Sequence, residues 1–498
     1  MKKSDFDYPG MMKVAILHFH LRRGGVTSVM LKQATCLATT TQPPQLAFIV
    51  GATEVESPPV PVFVVPELDY DSFSGIHKVD LMAGAERLAK AIAAALGQAF
   101  PKGCDLLHVH NPLLCKNVHL LGALALLKSW GLPLLVQVHD LAEDFRPEVY
   151  DSLWPYPESC DYAVINQRDR NHLVAAGLEP DHVHLLPNPV SFVEDFDPRG
   201  PYEQEIRLGR TLALYPVRAI GRKNIGEAIL LSRFLPEGTS MAVTLPPTSR
   251  GEMQRYNHWV SLAQTGSYPI AFEVGVGATL SGLYDTAFCV VTTSVKEGFG
   301  YAYLDPLIRG VPVVGREIPH IVKDFADKGI GFTGLYQRIE IPRSSLPMSA
   351  LRQTANARIA VFRDSYGASF AGLDGSERLE SILQGLATRF EQEELDFGCL
   401  SADLQGQVLN RIQTDPGYAH LIEETNPFVK SVFEGITTEA EALRLRTAVL
   451  GGYGEREYGQ SLLTAYETTL ARTARGAIEK AELVANYLKP SAFFLVAS

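Results

Sequence analysis

The chain carries two successive series of short apolar runs, each run separated from the next by a stretch whose apolar residues recur at helical spacing. In the first series the runs fall at 13–20, 45–50, 60–65, 105–110, 133–138, 161–165 and 183–186. They are rich in β-branched residues and leucine and show no strict alternation of apolar with polar. Strands of this kind are buried on both faces, as in a parallel sheet covered by helices on each side. Helices are expected between them over 26–39, 78–96, 117–130 and 167–176, the last with Asn166 as N-cap and Gly177 just past its end. The second series places runs at 211–217, 240–245, 269–274, 288–293 and 311–314, with helices over 225–234, 250–263 and 279–286. Alternation of this type predicts an α/β chain with two doubly wound, Rossmann-like parallel sheets facing a cleft and ligands at the carboxyl ends of the strands.

A length of 498 residues exceeds one ordinary core. The expected division is an N-terminal Rossmann-like domain over 1–204 and a C-terminal Rossmann-like, ligand-binding domain over 205–343, then a helical insertion or extension over 344–450 and a C-terminal helical segment over 451–498. Pro187-Asn188-Pro189 and the charged, proline-bearing stretch 194–204 are read as the connection between the two sheets. A formal charge of −11 argues against a nucleic-acid-binding surface. Six scattered cysteines with no CxxC pair suit free thiols in a reducing compartment better than disulfides or zinc. The first ten residues are charged and polar, without a signal-peptide core, and no apolar stretch is long and uninterrupted enough to span a bilayer. A cytoplasmic location is the expectation, with peripheral membrane contact left open.

Chemistry concentrates in four places. The run 288–293 leads into Glu297-Gly298-Phe299-Gly300 and then a helical stretch carrying Asp305. Glycines let the backbone approach a ligand, and a helix start offers unpaired N–H groups to a phosphate. Carboxylates accept hydrogen bonds from sugar hydroxyls. Such a turn suits a nucleotide sugar, although a glutamate at a helix start is also common for dipole reasons alone. After the first strand of the second series, Arg218 and Lys223 lie five apart across a glycine-bearing turn, where both can reach one diphosphate or simply face solvent. His139 and Asp140 end a buried strand, where active-site groups gather in α/β sheets. Gly24 and Gly25 follow the first strand and make either a phosphate-approaching loop or a tight turn; the three-glycine dinucleotide fingerprint is absent there.

Together these segments resemble retaining glycosyltransferases of the GT-B fold, specifically glycosyltransferase family 4. The resemblance comprises Gly24-Gly25, His139-Asp140, Pro187-Asn188-Pro189-Val190, the Arg218/Lys223 pair, Glu297-Gly298-Phe299-Gly300 with a following acid, and Gly310-Val311-Pro312-Val313-Val314. It covers about 13–335 and returns faintly near 452–470. It implies transfer of a sugar from a nucleotide-diphosphate donor to an acceptor hydroxyl with retention, without a metal or other cofactor. Arg218 and Lys223 would neutralise the diphosphate, and the N–H groups of Phe299 and Gly300, in the turn from Gly298, would hold the distal phosphate. Glu297 would bind donor-sugar hydroxyls and Asp305 the ribose. His139 would face the transferred sugar, and the Gly24-Gly25 loop would close over donor and acceptor. The chain departs from the family pattern in having Asp305 for glutamate, Pro306 inside the expected helix and His320 where glutamate is frequent. A nucleotide-sugar epimerase or sugar phosphorylase of the same architecture is the alternative enzyme. A catalytically degenerate GT-B partner is the alternative outside catalysis.

Overall fold

The computed structural model describes residues 11–71, 78–191, 211–434, 439–472, 475–493 and 495. The stretch 194–204, read from sequence as the connection, lies outside the described residues, as do the first ten residues. The chain forms two compact units. The first comprises Met1–Pro189, Phe362–Leu379 and Tyr453–Leu488; the second comprises Val190–Val361, Glu380–Gly452 and Lys489–Ser498.

The first unit is built on a seven-stranded sheet. Its strands are β1 (Lys13–His18), β2 (Gln45–Val50), β3 (Val62–Val64), β4 (Leu106–His110), β5 (Leu134–Val138), β6 (Asp161–Val164) and β7 (Val183–Leu185). They are all parallel, in the order β3-β2-β1-β4-β5-β6-β7. The strands read as unbroken apolar runs because successive residues enter different cores. In β1, Ala15 and Leu17 join Leu88, Ile92, Leu124 and Leu483, while Val14 and Ile16 join Met30, Leu37, Leu462 and Tyr466. Helices Lys78–Ala99, Leu120–Ser129 and Lys480–Tyr487 cover one face, and helices Gly25–Ala38 and Glu455–Ala471 the other. The helix Gln167–Ala175 has Asn166 as its cap, the side chain accepting from Asp169 N.

In the second unit six parallel strands run in the order β10-β9-β8-β11-β12-β13. These are β8 (Thr211–Arg218), β9 (Thr239–Leu245), β10 (Ile270–Ala271), β11 (Ala287–Thr292), β12 (Val313–Arg316) and β13 (Gly334–Tyr336). The strand expected over 269–274 shortens to two residues because Glu273 takes a positive φ of 62° and the chain turns there. The strand expected from 311 starts two residues later. The Val311 N–H is spent on the Pro306 carbonyl, closing the preceding helix. Helical sequence after Pro342 divides between the units, and a small antiparallel pair, β14 (Glu340–Pro342) with β15 (Glu394–Asp396), joins the second.

In each sheet the strand order reverses direction once, between β1 and β4 and between β8 and β11. Ligands of doubly wound sheets sit beyond the carboxyl ends of strands at such switch points.

Candidate functional site

At the second unit's switch point, the segments leaving β8 and β11 are bonded to each other. Tyr215, wholly buried on β8, donates its hydroxyl to the Lys223 carbonyl at 2.6 Å, and Thr293 Oγ1 donates to the carbonyls of Lys223 and Asn224 at 3.0 and 3.1 Å. Val295 N donates to the Arg222 carbonyl at 3.0 Å. The turn Gly221–Lys223 ends on Asn224 in the left-handed region, φ 52°, which asparagine tolerates better than most residues. Two adjacent cations are thereby held facing the Glu297 turn.

Glu297 is their common partner. Lys223 Nζ donates to its Oε1, and Arg222 Nη1 donates to its Oε2 at 3.0 Å and to the Lys296 carbonyl at 3.0 Å. Burial alone would raise the Glu297 pKa, but Lys223 and then Arg222 outweigh it and hold the carboxyl at about 2. Beyond Glu297 the chain reaches Gly300, φ 98°, which caps the helix Tyr301–Ile308. A Cβ at Gly300 would lie 2.7 Å from Ile321 Cγ2 and 3.0 Å from Tyr303 Cδ2, so only glycine makes this turn without strain. Phe299 is buried, its ring 5.0 Å from that of Tyr301 and 6.2 Å from that of Phe325. Its packing fixes the course of the backbone on either side of it.

The sequence-predicted residues are thus placed unevenly. Lys223, Glu297, Gly298, Phe299 and Gly300 meet at one locus. Arg218, at the end of β8, donates Nη1 to the Pro246 carbonyl at 2.8 Å, using one of its five N–H groups. Asp305 lies on the helix after the turn, near Tyr284, whose ring also carries Arg309 at 5.3 Å. Pro306 lies inside this eight-residue helix, where it has no N–H to give the Ala302 carbonyl, while its own carbonyl accepts from both Arg309 N and Val311 N as the helix closes. Arg222, adjacent to Lys223 in the same tight turn, joins it on Glu297, a partner that the five-residue spacing of Arg218 and Lys223 does not indicate.

In the first unit the carboxyl ends of β1, β4 and β5 gather three histidines. His110 Nδ1 and His139 Nε2 are 2.9 Å apart, one donating to the other, with their rings stacked at 5.1 Å. His18 donates Nδ1–H to the His110 carbonyl at 3.1 Å. Asn111, φ 53°, accepts on Oδ1 from the backbone N–H groups of His139 and Asp140 at 2.7 and 3.2 Å. Burial lowers the pKa of His139 to about 4, Asp140 offsetting only part of it, so the imidazole is neutral at neutral pH. Asp140 is partly exposed and pairs with Arg146 at 3.3 Å. Gly24 caps the helix Gly25–Ala38 in an extended conformation, and a Cβ at Gly25 would meet nothing within 4 Å. Neither glycine is demanded by the backbone here.

Among the described residues no group of three or more His, Cys, Asp or Glu is placed to hold a metal ion, and no helix is long and apolar enough to cross a membrane. All six cysteines are free thiols.

No protein-family model matches the chain. A mannosylglucosyl-3-phosphoglycerate synthase of Petrotoga mobilis is 26% identical over 429 residues, covering 79% of this chain and 80% of that protein. Sucrose-phosphate synthase from Thermosynechococcus elongatus superposes with a TM-score of 0.51 at 12% identity, over 92% of this chain and 99% of that one. Anabaena HepE, solved in complex with UDP and glucose, gives a TM-score of 0.51 at 13% identity, over 91% and 98%. A glycosyltransferase from Rickettsia africae gives 0.51 at 12% identity, over 93% and 100%. With two doubly wound parallel sheets, each with one switch point, the chain has the fold of the GT-B glycosyltransferases.

Proposed function

We propose that the protein transfers a sugar from a nucleotide-diphosphate donor to an acceptor hydroxyl with retention of anomeric configuration. The observation that carries this reading is the Lys223–Glu297–Arg222 cluster beside the Gly300 helix start. It combines cations for phosphate, amides for phosphate and a carboxylate that stays ionised for sugar hydroxyls. The name of the Petrotoga relative and the UDP held by HepE agree with it.

In this scheme the bond from the anomeric carbon to the diphosphate oxygen breaks first, its electron pair leaving with the phosphate. Lys223, Arg222 and the amides near Gly300 stabilise the charge that develops, with Arg218 supplying its remaining N–H groups. Removing one such donor typically costs about 2.7–4 kcal/mol of transition-state stabilisation. The acceptor oxygen then bonds to the anomeric carbon from the same face, and its proton passes to the leaving phosphate oxygen. The chain needs no nucleophile of its own for this route. Side-chain cations supply the positive charge, so the scheme has no role for a metal or other cofactor. Asp305 contacts the ribose, and neutral His139 offers a hydrogen bond to the transferred sugar, with Asp140 and the Gly24-Gly25 loop bordering it.

The test pairs two variants. Glu297→Ala should lower turnover by at least about a hundredfold, and Lys223→Ala should weaken nucleoside-diphosphate binding by about tenfold or more in calorimetry. Wild-type turnover in the first and wild-type affinity in the second would reject the site. Product stereochemistry by proton NMR decides retention.

A further inference from the structure

A second cationic locus lies in the first unit, outside the groups assigned so far. Lys116 follows β4 by six residues, in a segment tied down on both sides. Cys115 N donates to the Val149 carbonyl at 2.8 Å, and Asp71 N donates to the Lys116 carbonyl at 3.0 Å. Asn117 Nδ2 donates to the carbonyls of Glu67 and Asp69, both at 2.9 Å. Three segments, those after β3, β4 and β5, are therefore fastened together around Lys116. Its ammonium sits 5.7 Å from the centroid of the Tyr70 ring.

The half-buried ammonium makes no hydrogen bond or ion pair among the described residues. Its neighbour Arg146 is of like charge and is itself engaged, with Asp140 at 3.3 Å and with exposed Glu148 at 3.7 Å. Burial and then Arg146 pull the Lys116 pKa below the ordinary lysine value, with Glu148 and Asp140 offsetting only part of this. Held in place and without an ion pair among the described residues, the ammonium keeps its donors for water or for an arriving anion. The carboxyl ends of a doubly wound sheet are where a ligand arrives.

We propose that Lys116, flanked by Arg146 and Tyr70, binds an acidic group of the acceptor, a carboxylate or a phosphate. The ammonium and guanidinium would share the anion, with Arg146 releasing Glu148, its more exposed partner. The Tyr70 ring, which faces the ammonium, would border the bound molecule. The inference rests on the sugar-transfer reading for the word acceptor, but the anion site stands or falls by its own measurement.

The full-length protein, saturated with UDP, GDP or ADP according to which binds, is titrated by calorimetry with D-glycerate, glycerol 3-phosphate and glycerol. At least one acid should bind and glycerol should not. Lys116→Met, which removes the charge and keeps an unbranched side chain, should weaken the acid by about tenfold or more, and Lys116→Arg should keep most of the affinity. Preference for glycerate identifies a carboxylate, and preference for the phosphate ester identifies a phosphate. Failure of both acids to bind, equal binding of glycerol, or undiminished acid binding in Lys116→Met would overturn the proposal. Should acids bind through Lys116 while no nucleoside diphosphate binds, the donor reading fails and the anion site remains.

Discussion

Glu297 shows how one buried side chain couples the site to stability. Its carboxyl is held at about 2 against an ordinary value near 4.5, so ionisation is favoured more in the folded chain than in the unfolded one. A depressed carboxylate pKa contributes stability that is fully present above the unfolded value and lost as pH falls through the folded one. Between about pH 4.5 and 2, wild-type stability should therefore fall more steeply than that of Glu297→Gln, read from urea denaturation midpoints across that window. Parallel slopes would mean that the Lys223 and Arg222 contacts do not favour the ionised form. Glu297 was legible in the sequence because the glycine-bracketed turn behind a buried strand is local. That Arg222 rather than Arg218 joins Lys223 on it was not legible. The outcome depends on which way the Gly221–Lys223 turn aims adjacent side chains, and that is set by Tyr215 and Thr293 seizing the turn's carbonyls.

Among the elements, the helix Ile225–Ser232 is buried along its whole length, with Glu227 wholly excluded from solvent. An isolated carboxylate could not remain there. Arg316 at the end of β12 donates Nε and Nη2 to Glu227 at 2.9 and 2.5 Å, and Nη1 and Nη2 to Asp396 on β15 at 2.8 and 2.7 Å. Tyr336 on β13 adds its hydroxyl to Glu227 at 2.6 Å. This network ties a helix, two strands of the main sheet and the small antiparallel pair into one body. Arg316→Met should cost at least about 3–5 kcal/mol, because it strands two buried carboxylates. Thermal denaturation of unit 2 would show it, and an unchanged midpoint would mean that the network is solvated. The two small strands were not expected from sequence. Three-residue strands leave no period to detect, and their pairing partners lie more than fifty residues apart.

For the molecule as a whole, the first unit is assembled from chain ends. Tyr458, Leu462, Leu463 and Tyr466 fill the core under β1 and β2, and Tyr458 accepts a hydrogen bond from Gln33 Nε2 at 2.6 Å. Ile478, Leu483 and Tyr487 enter the core on the opposite face. A chain ending at Gly452 should lose slow amide exchange in β1 and β4, because both faces of that sheet would be opened to water. Retained protection of those amides would show that residues 1–189 hold their sheet without the C-terminal helices. The sequence by itself determined the two parallel sheets, the Asn166 cap and the Glu297–Gly300 turn, because periodicity, capping and glycine turns act over a few residues. Only the tertiary structure decided that helices within 453–488 cover both faces of the first sheet, that Arg222 shares Glu297, and that Lys116 lies against Tyr70 with no ion pair among the described residues. Those outcomes turn on contacts between residues far apart in the chain, which local spacing does not encode.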